Sequence, residues 1–286
     1  MALVKEYRNA EEPDYYVTSE IRTLANMLGM SDEGIRSYER NGLVSPNIKD
    51  GSGRRMFDIM DFTMLLYSRV YRKSDFTMKE ISEIVNGNNL AHTLEMYQNK
   101  IAEEQAEIQR LTRTISCLTD VTDSIKSFDD LLGKCRVEAF PGLFRMEFMF
   151  DGDIWHHDSA MSAHISEWVN YAPCSMISTR YFLDDFRQRT QPKRSFSGLG
   201  IYPKYAESLG VRENEYVKYY PPCERALHTI LAPDNLQLIA DMQFIFDYLE
   251  ANHLEPNGDA VTLGILNTNF DTLFTRYLHL WLPLKD

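Results

Sequence analysis

Arg22, Arg36, Tyr38, Lys49, Arg54 and Arg55 are side chains suited to the phosphates and base edges of a nucleic acid. Guanidinium and ammonium groups pair with phosphate oxygens, and a phenol donates a hydrogen bond to one or packs beneath it. A lone arginine is ordinarily a solvated surface charge, so clustering decides the reading. Between Gly34 and Lys73 eight basic side chains stand against four acidic ones, inside a chain of net charge −12. From Lys134 to Asp286 fourteen basic side chains face twenty acidic ones, so the two ends suit partners of opposite sign.

The acidic end carries a second set of candidates. Aromatic residues are dense there, and Met146, Glu147, Tyr181, Tyr202, His279 and Trp281 are the expected lining of a small-molecule cavity. Aromatic faces stack on a flat ligand or attract a cationic one, and the Glu147 carboxylate adds to that attraction. For any one aromatic, plain core packing is the competing reading. His156, His157, Asp158 and His164 are metal-ligating types, but adjacent imidazoles diverge on a strand or helix, and no metal or other cofactor is expected. The cysteines Cys117, Cys135, Cys174 and Cys223 form no C-x-x-C pair and read as buried thiols. Gly-x-Ser-x-Gly, P-loop and His-Glu-x-x-His motifs are lacking, so an enzyme is not expected.

These residues need elements to position them. At 286 residues with 44% apolar side chains, the chain can build more than one core. It has no run of about 18 apolar residues, and Met1 to Asp14 is polar and acidic, so neither a membrane span nor a secretion signal is expected and the cytoplasm is the expected location. Apolar spacing at Ile21, Leu24, Ala25 and Leu28 predicts a helix ended by Gly29. Ser31 caps a second, with Ile35 and Tyr38 inward and Asn41-Gly42 as its stop, which together make a helix-turn-helix. Lys49 to Phe57, Gly-rich at its tip, predicts a hairpin wing, followed by helices from Asp58 or Asp61 and from Thr77.

From Leu94 to Ile125, positions spaced by alternating threes and fours are apolar or aromatic in eight cases of ten, with Glu104 and Thr122 the exceptions. A 3.5-residue repeat of that length specifies a coiled coil, and a coiled coil needs a second helix, so a homodimer is expected. Beyond Lys134, strands are expected at 136–140, 143–150, 175–182, 198–202, 216–220, 226–231 and 277–282, with helices at 161–170, 235–252 and, shorter, at 205–209. Strand-helix-strand-strand occurs twice in that order, which suggests a duplicated βαββ sheet domain. The expected fold class is α+β, with an N-terminal extension at 1–15, a winged helix-turn-helix at 16–88, a long antiparallel coiled-coil dimerisation helix at 89–130 and the sheet domain at 134–286.

Residues 16 to 86 resemble the MerR family of regulators. Ile21-Arg22-Thr23-Leu24-Ala25 with Gly29 and Ser31 is similar to its first-helix signature, and Ile35-Arg36-Ser37-Tyr38-Glu39 with Gly42-Leu43 and Pro46 to its recognition-helix signature. Arg55-Met56-Phe57 resembles the Arg-x-Tyr of its wing, and Phe76-Thr77-Met78-Lys79-Glu80-Ile81 its Phe-Ser-Leu-x-Glu-Ile. Two positions depart from the pattern: Asp75 stands where Gly usually precedes the Phe, and Ser37 replaces a common Tyr. More faintly, the part from Lys134, with Gly198-Leu199-Gly200-Ile201-Tyr202 and the closing Leu280-Trp281-Leu282-Pro283, resembles the GyrI-like (BmrR-type) effector-binding domain of multidrug-sensing members. The resemblance implies a ligand-responsive activator that binds palindromic promoter DNA as a dimer and distorts it, reaching RNA polymerase indirectly at the promoter. It also implies a small organic ligand, aromatic or cationic. A metal or redox sensor and a GyrI-like hydrolase are the alternatives.

Overall fold

A computed structural model describes residues 19–48, 55–87, 89–154, 159–233, 239–270 and 273–286. The chain divides into two compact units, Met1–Ile108 and Gln109–Asp286.

The first unit is built on local capping chemistry. Strand β1 (Ser19–Glu20) leads into α1 (Ile21–Leu28), which ends at Gly29 in the left-handed conformation, φ 59°. Helix α2 (Asp32–Arg40) begins where the Ser31 hydroxyl accepts the Gly34 N–H at 3.0 Å. Strands β2 (Asn47–Ile48) and β3 (Arg55–Phe57) pair antiparallel, and with β1 they form a sheet ordered β1-β3-β2. The expected hairpin is therefore present, and its tip lies outside the described residues. Helix α3 (Ile59–Lys73) opens on a reciprocal box: Asp58 Oδ1 accepts the Asp61 N–H at 2.9 Å and Asp61 Oδ2 the Asp58 N–H at 3.2 Å. Asp61 also accepts the Ser45 N–H at 3.1 Å, which ties the chain after α2 to the start of α3. Thr77 and Glu80 make the same box at α4 (Met78–Asn86). The amphipathic faces meet in a core of Leu24, Ile35, Tyr38, Phe57, Leu65, Phe76 and Ile81.

Helix α5 (Leu90–Lys126) has 37 residues and would span about 55 Å at 1.5 Å per residue. The unit boundary falls within it. A four-residue helix, α6 (Phe128–Leu131), follows.

The second unit is a nine-stranded sheet ordered β4-β10-β12-β11-β7-β8-β5-β6, with β9 paired on β5, counting described residues. Its strands are β4 (Arg136–Phe140), β5 (Leu143–Phe150), β6 (Asp153–Ile154), β7 (Ser175–Tyr181), β8 (Phe196–Ile201), β9 (Val217–Tyr220), β10 (Cys223–Leu231), β11 (Ala260–Phe270) and β12 (Leu273–Pro283). Helices α7 (Ser159–Asn170), α8 (Leu183–Arg187), α9 (Pro203–Ala206) and α10 (Gln243–Ala251) complete it. Strand β11 was not expected, β12 starts four residues before the expected strand, and of the expected 235–252 helix residues 235–238 lie outside the described ones while the helix itself begins at Gln243. Helix α10 packs Ile245, Phe246 and Leu249 on Leu227, Leu278, Leu280 and Leu282. Trp168 of α7 shares a core with Met146 and Ile201.

Candidate functional sites

In the first unit, α2 buries Ile35 and Tyr38 and leaves Arg36 and Arg40 exposed. Both guanidiniums lie beside Glu33, Arg40 at 2.8 Å and Arg36 at 3.7 Å. Arg40, and to a smaller degree Arg36, holds the Glu33 carboxyl below its ordinary range. Exposed pairs of this kind contribute little, so either guanidinium can exchange Glu33 for a phosphate at small cost. Arg22 is exposed on α1. Tyr38 is 8% exposed, and burial raises its phenol pKa above the ordinary value. Its ring thus packs in the core beneath α2. Lys49 and Arg54 lie outside the described residues. Arg55 opens β3 opposite Ile48, and its side chain is also outside the described set.

The second unit holds a cavity of about 390 Å³ between the C-terminal part of α5 and the sheet. Asp120, Asp123, Ser124 and Ser127 line it from the helix; Arg136, Tyr202, Pro203, Lys204, His228 and His279 line it from the other side. Helix periodicity explains the helical wall, since positions 120, 124 and 127 recur on one face. At the centre runs a chain of polar contacts. Ser124 Oγ lies 2.9 Å from His279 Nε2, His279 Nδ1 lies 2.9 Å from His228 Nε2, and His228 Nδ1 meets a Glu138 carboxylate oxygen. Trp281 stacks on His228, with ring centroids 3.6 Å apart and planes within 6°.

The protons on this chain can be assigned. With Glu138 accepting, His228 carries its proton on Nδ1, and its Nε2 accepts from His279 Nδ1–H. That leaves His279 Nε2 as an acceptor for the Ser124 hydroxyl. The hydroxyl has another acceptor at hand, the Asp120 carbonyl at 2.7 Å, so His279 Nε2 can take a different donor without stranding Ser124. Burial lowers the pKa of His279 to about 3, helped by the neighbouring His228, while Glu138 and Asp120 pull the other way. Burial, with Arg136 adding to it, does the same to His228. The charged lining is mutually paired: Lys204 Nζ and the Tyr205 hydroxyl donate to Asp120 at 2.6 and 2.5 Å, and Lys126 donates to Asp123 at 2.9 Å.

Of the six residues expected to line a ligand site, Tyr202 and His279 border this cavity. Met146 is fully buried against α7, and Tyr181 is buried in the α10 core. Trp281 is buried one ring behind the cavity wall, against His228. Glu147 belongs to an ion cluster: it accepts from Arg145 at 2.6 Å and from Arg180 at 2.7 and 3.1 Å, and Arg180 reaches on to Asp259 at 2.9 Å. Arg145 is itself wholly buried, with Ser178 and the Phe196 carbonyl as further partners. Two guanidiniums hold Glu147 ionised below its usual range and neutralise it, so it is not a carboxylate waiting for a cationic ligand. Asp120, Ser124 and His228 escaped the sequence reading. The first two sit on a face of α5 that reads as solvated, and His228 lies in a strand that reads as core.

Residues 20–88 match the family model described as MerR HTH family regulatory protein. The HTH-type transcriptional regulator CueR of Salmonella typhi is 28% identical over 133 residues, which is 42% of this chain and 96% of that protein. CueR of Escherichia coli O157:H7 is 30% identical over 92 residues, 32% of this chain and 67% of that protein. Among solved structures, EcmrR in the EcmrR-DNA complex of EcmrR-RPo is 14% identical, covers 94% of this chain and 100% of that one, and superposes with a TM-score of 0.38. By its helix-turn-helix unit and the identity it shares there with those regulators, this chain belongs to the MerR family.

Proposed function

We infer that the chain is a homodimeric, ligand-responsive transcription regulator that binds palindromic promoter DNA through Arg22, Arg36 and the wing residues Lys49, Arg54 and Arg55. The carrying observation is the double use of α5. One side supplies Cys117, Val121 and Ser124 to the second unit, where Ser124 forms part of the cavity wall. Another side leaves Leu94, Tyr97, Ile101, Ile108, Leu111, Ile115, Leu118 and Ile125 between 39% and 65% exposed. A stripe of that period and length is the seam of a coiled coil, and two copies zipped along it present two helix-turn-helix heads to one duplex. A ligand in the cavity touches the helix that carries the seam, so binding can bias dimer geometry and, through it, the spacing of the heads.

The mirrored strand orders support reading the sheet as a duplicated βαββ, GyrI-like domain. β5, α7, β7 and β8 give the order β5-β8-β7, while β10, α10, β11 and β12 give β10-β12-β11. The effector is a small, uncharged aromatic molecule with an N–H or O–H for His279 Nε2, because the lining charges are already paired and Glu147 is neutralised.

Fluorescence anisotropy on DNA from the protein's own promoter region tests the regulator. Salt-sensitive, sequence-selective binding is expected; binding that does not distinguish this DNA from a scrambled duplex would sink the reading. For the effector, uncharged phenols and aromatic amides are expected to raise the Tm of the protein more than quaternary ammonium dyes of equal size, and the reverse order would reject the uncharged class.

A further inference from the structure

We propose that Cys117 and Cys174 form an oxidative modification site, a dithiol that hydrogen peroxide converts to an intramolecular disulfide. The two sulfurs lie 2.7 Å apart although 57 positions separate them in the chain. They are thus within about 0.7 Å of the covalent S–S distance of about 2.0 Å. Both residues are buried, at 4% and 6% exposure, Cys117 on the sheet-facing side of α5 and Cys174 immediately before β7. Neither Cys135 nor Cys223 is in such a contact: Cys223 Sγ points to the Arg225 carbonyl at 3.6 Å, and Cys135 packs against the α10 core.

The oxidant class follows from the space available. A cavity of about 40 Å³ is lined by both cysteines, with Asp120, Tyr205 and His279 also on its wall. A water molecule needs about 10–15 Å³ on this measure, so the cavity admits hydrogen peroxide and is far too small for a glutathione disulfide. In the first step the Cys117 sulfur attacks one peroxide oxygen, the O–O bond breaks, and the products are a Cys117 sulfenic acid and water. Burial pushes the Cys174 thiol up to about 12, so it stays protonated until the sulfenic acid forms beside it. Its sulfur then attacks the Cys117 sulfur, and the sulfenic oxygen leaves as a second water with the thiol proton. Two thiols lose two electrons and two hydrogens, and one peroxide is reduced to two waters. The bond pins residue 117 of α5 to the first turn before β7. This site does not depend on what the larger cavity binds.

Intact-mass spectrometry of the reduced full-length chain tests the proposal. After hydrogen peroxide the mass is expected to fall by about 2 Da, with a non-reduced digest yielding Cys117 and Cys174 in one linked peptide, Cys135 and Cys223 still alkylated after denaturation, and dithiothreitol reversing the change. Glutathione disulfide under the same conditions is expected to leave the mass unchanged. A C135S/C223S variant is expected to retain the loss and C174S to abolish it. Absence of the mass loss, or a bond that includes Cys135 or Cys223 in the wild-type chain, overturns the assignment, and equal oxidation by glutathione disulfide overturns the choice of oxidant.

Discussion

Arg36, proposed above to contact DNA, is held by little in the fold. Its contact with Glu33 is 3.7 Å long and solvated, while Arg40 takes the closer position at 2.8 Å. Removing the Arg36 guanidinium should therefore leave folding alone and lower DNA affinity. If it meets a phosphate, R36A weakens binding evenly across sequences and reduces the slope of log affinity against log salt by about 0.9 per head. An affinity unchanged at every salt concentration would remove Arg36 from the interface. Asp75 argues at the same scale but about stability. It follows α3 with φ 58°, in the region where a Cβ is strained, and the Phe76 N–H closes the helix end on the Tyr71 carbonyl at 3.1 Å. The departure from the family's usual Gly thus keeps the glycine geometry without the glycine. D75G is expected to raise stability by about 0.5–1 kcal/mol, the strain relief exceeding the added freedom of the unfolded chain. Urea midpoints measure it, and a lower midpoint would contradict it. His279 supplies a pH dependence. In the unfolded chain it gains a proton below about 6.5, whereas in the fold it stays neutral down to about 3. Over that window the unfolded state binds more protons, so stability is complete above about pH 6.5 and falls as the pH drops toward 3. The contribution of His279 to the slope is expected to approach about 1.4 kcal/mol per pH unit. His228, shifted in the same direction, adds a like share, so H279Q, which cannot titrate, should roughly halve the decline in urea midpoint between pH 7 and pH 5; an unaltered decline would place its origin elsewhere.

Elements were legible where a boundary is written in local chemistry. Ser31, the Asp58-Asp61 box and the Thr77-Glu80 box each bring capping oxygen and backbone donor within three residues, so the starts of α2, α3 and α4 can be read from sequence. Strand β11 could not be read in this way. Its pairing with β12 shifts register between Gly264 and Leu266, which breaks the two-residue alternation that marks a strand. The cavity was less legible still. Which face Met146 and Tyr181 occupy depends on the pairing of β5 with β8 and of β7 with β11, and strands separated by so many residues carry no local signal of their register. Helix α5 lies between these cases. Its periodicity is plain, but the side meeting the sheet and the side left exposed are separated only once the fold is known. The seam reading makes a prediction that belongs to the helix. Ile115 is among its most exposed apolar side chains. A charge there costs the free chain little, and costs a dimer the burial of two carboxylates in an apolar seam. I115E is expected to sediment as a monomer at micromolar concentration with an unchanged Tm for the second unit. A dimer surviving the substitution would show that copies associate through another surface.

At the scale of the whole molecule the charge division matters more than the total. A chain of net charge −12 is repelled by DNA at long range, while its segment from Gly34 to Lys73 is locally basic. One head with Arg22, Arg36, Lys49, Arg54 and Arg55 can neutralise about five phosphates, which corresponds to a log-log salt slope of about −4 to −5. Two heads joined by the α5 seam should give about −9, and the second head then binds at the effective concentration set by the first. The full-length protein is therefore expected to lose about five powers of ten in affinity as salt rises fourfold, whereas I115E should lose about half as many. Measuring both slopes by anisotropy separates the two roles of the helix. If the monomeric variant binds weakly but with the full slope, each head already makes all the phosphate contacts alone, and the palindromic, two-headed mode of binding is wrong. If both slopes are near zero, the basic segment is not the DNA-binding face at all.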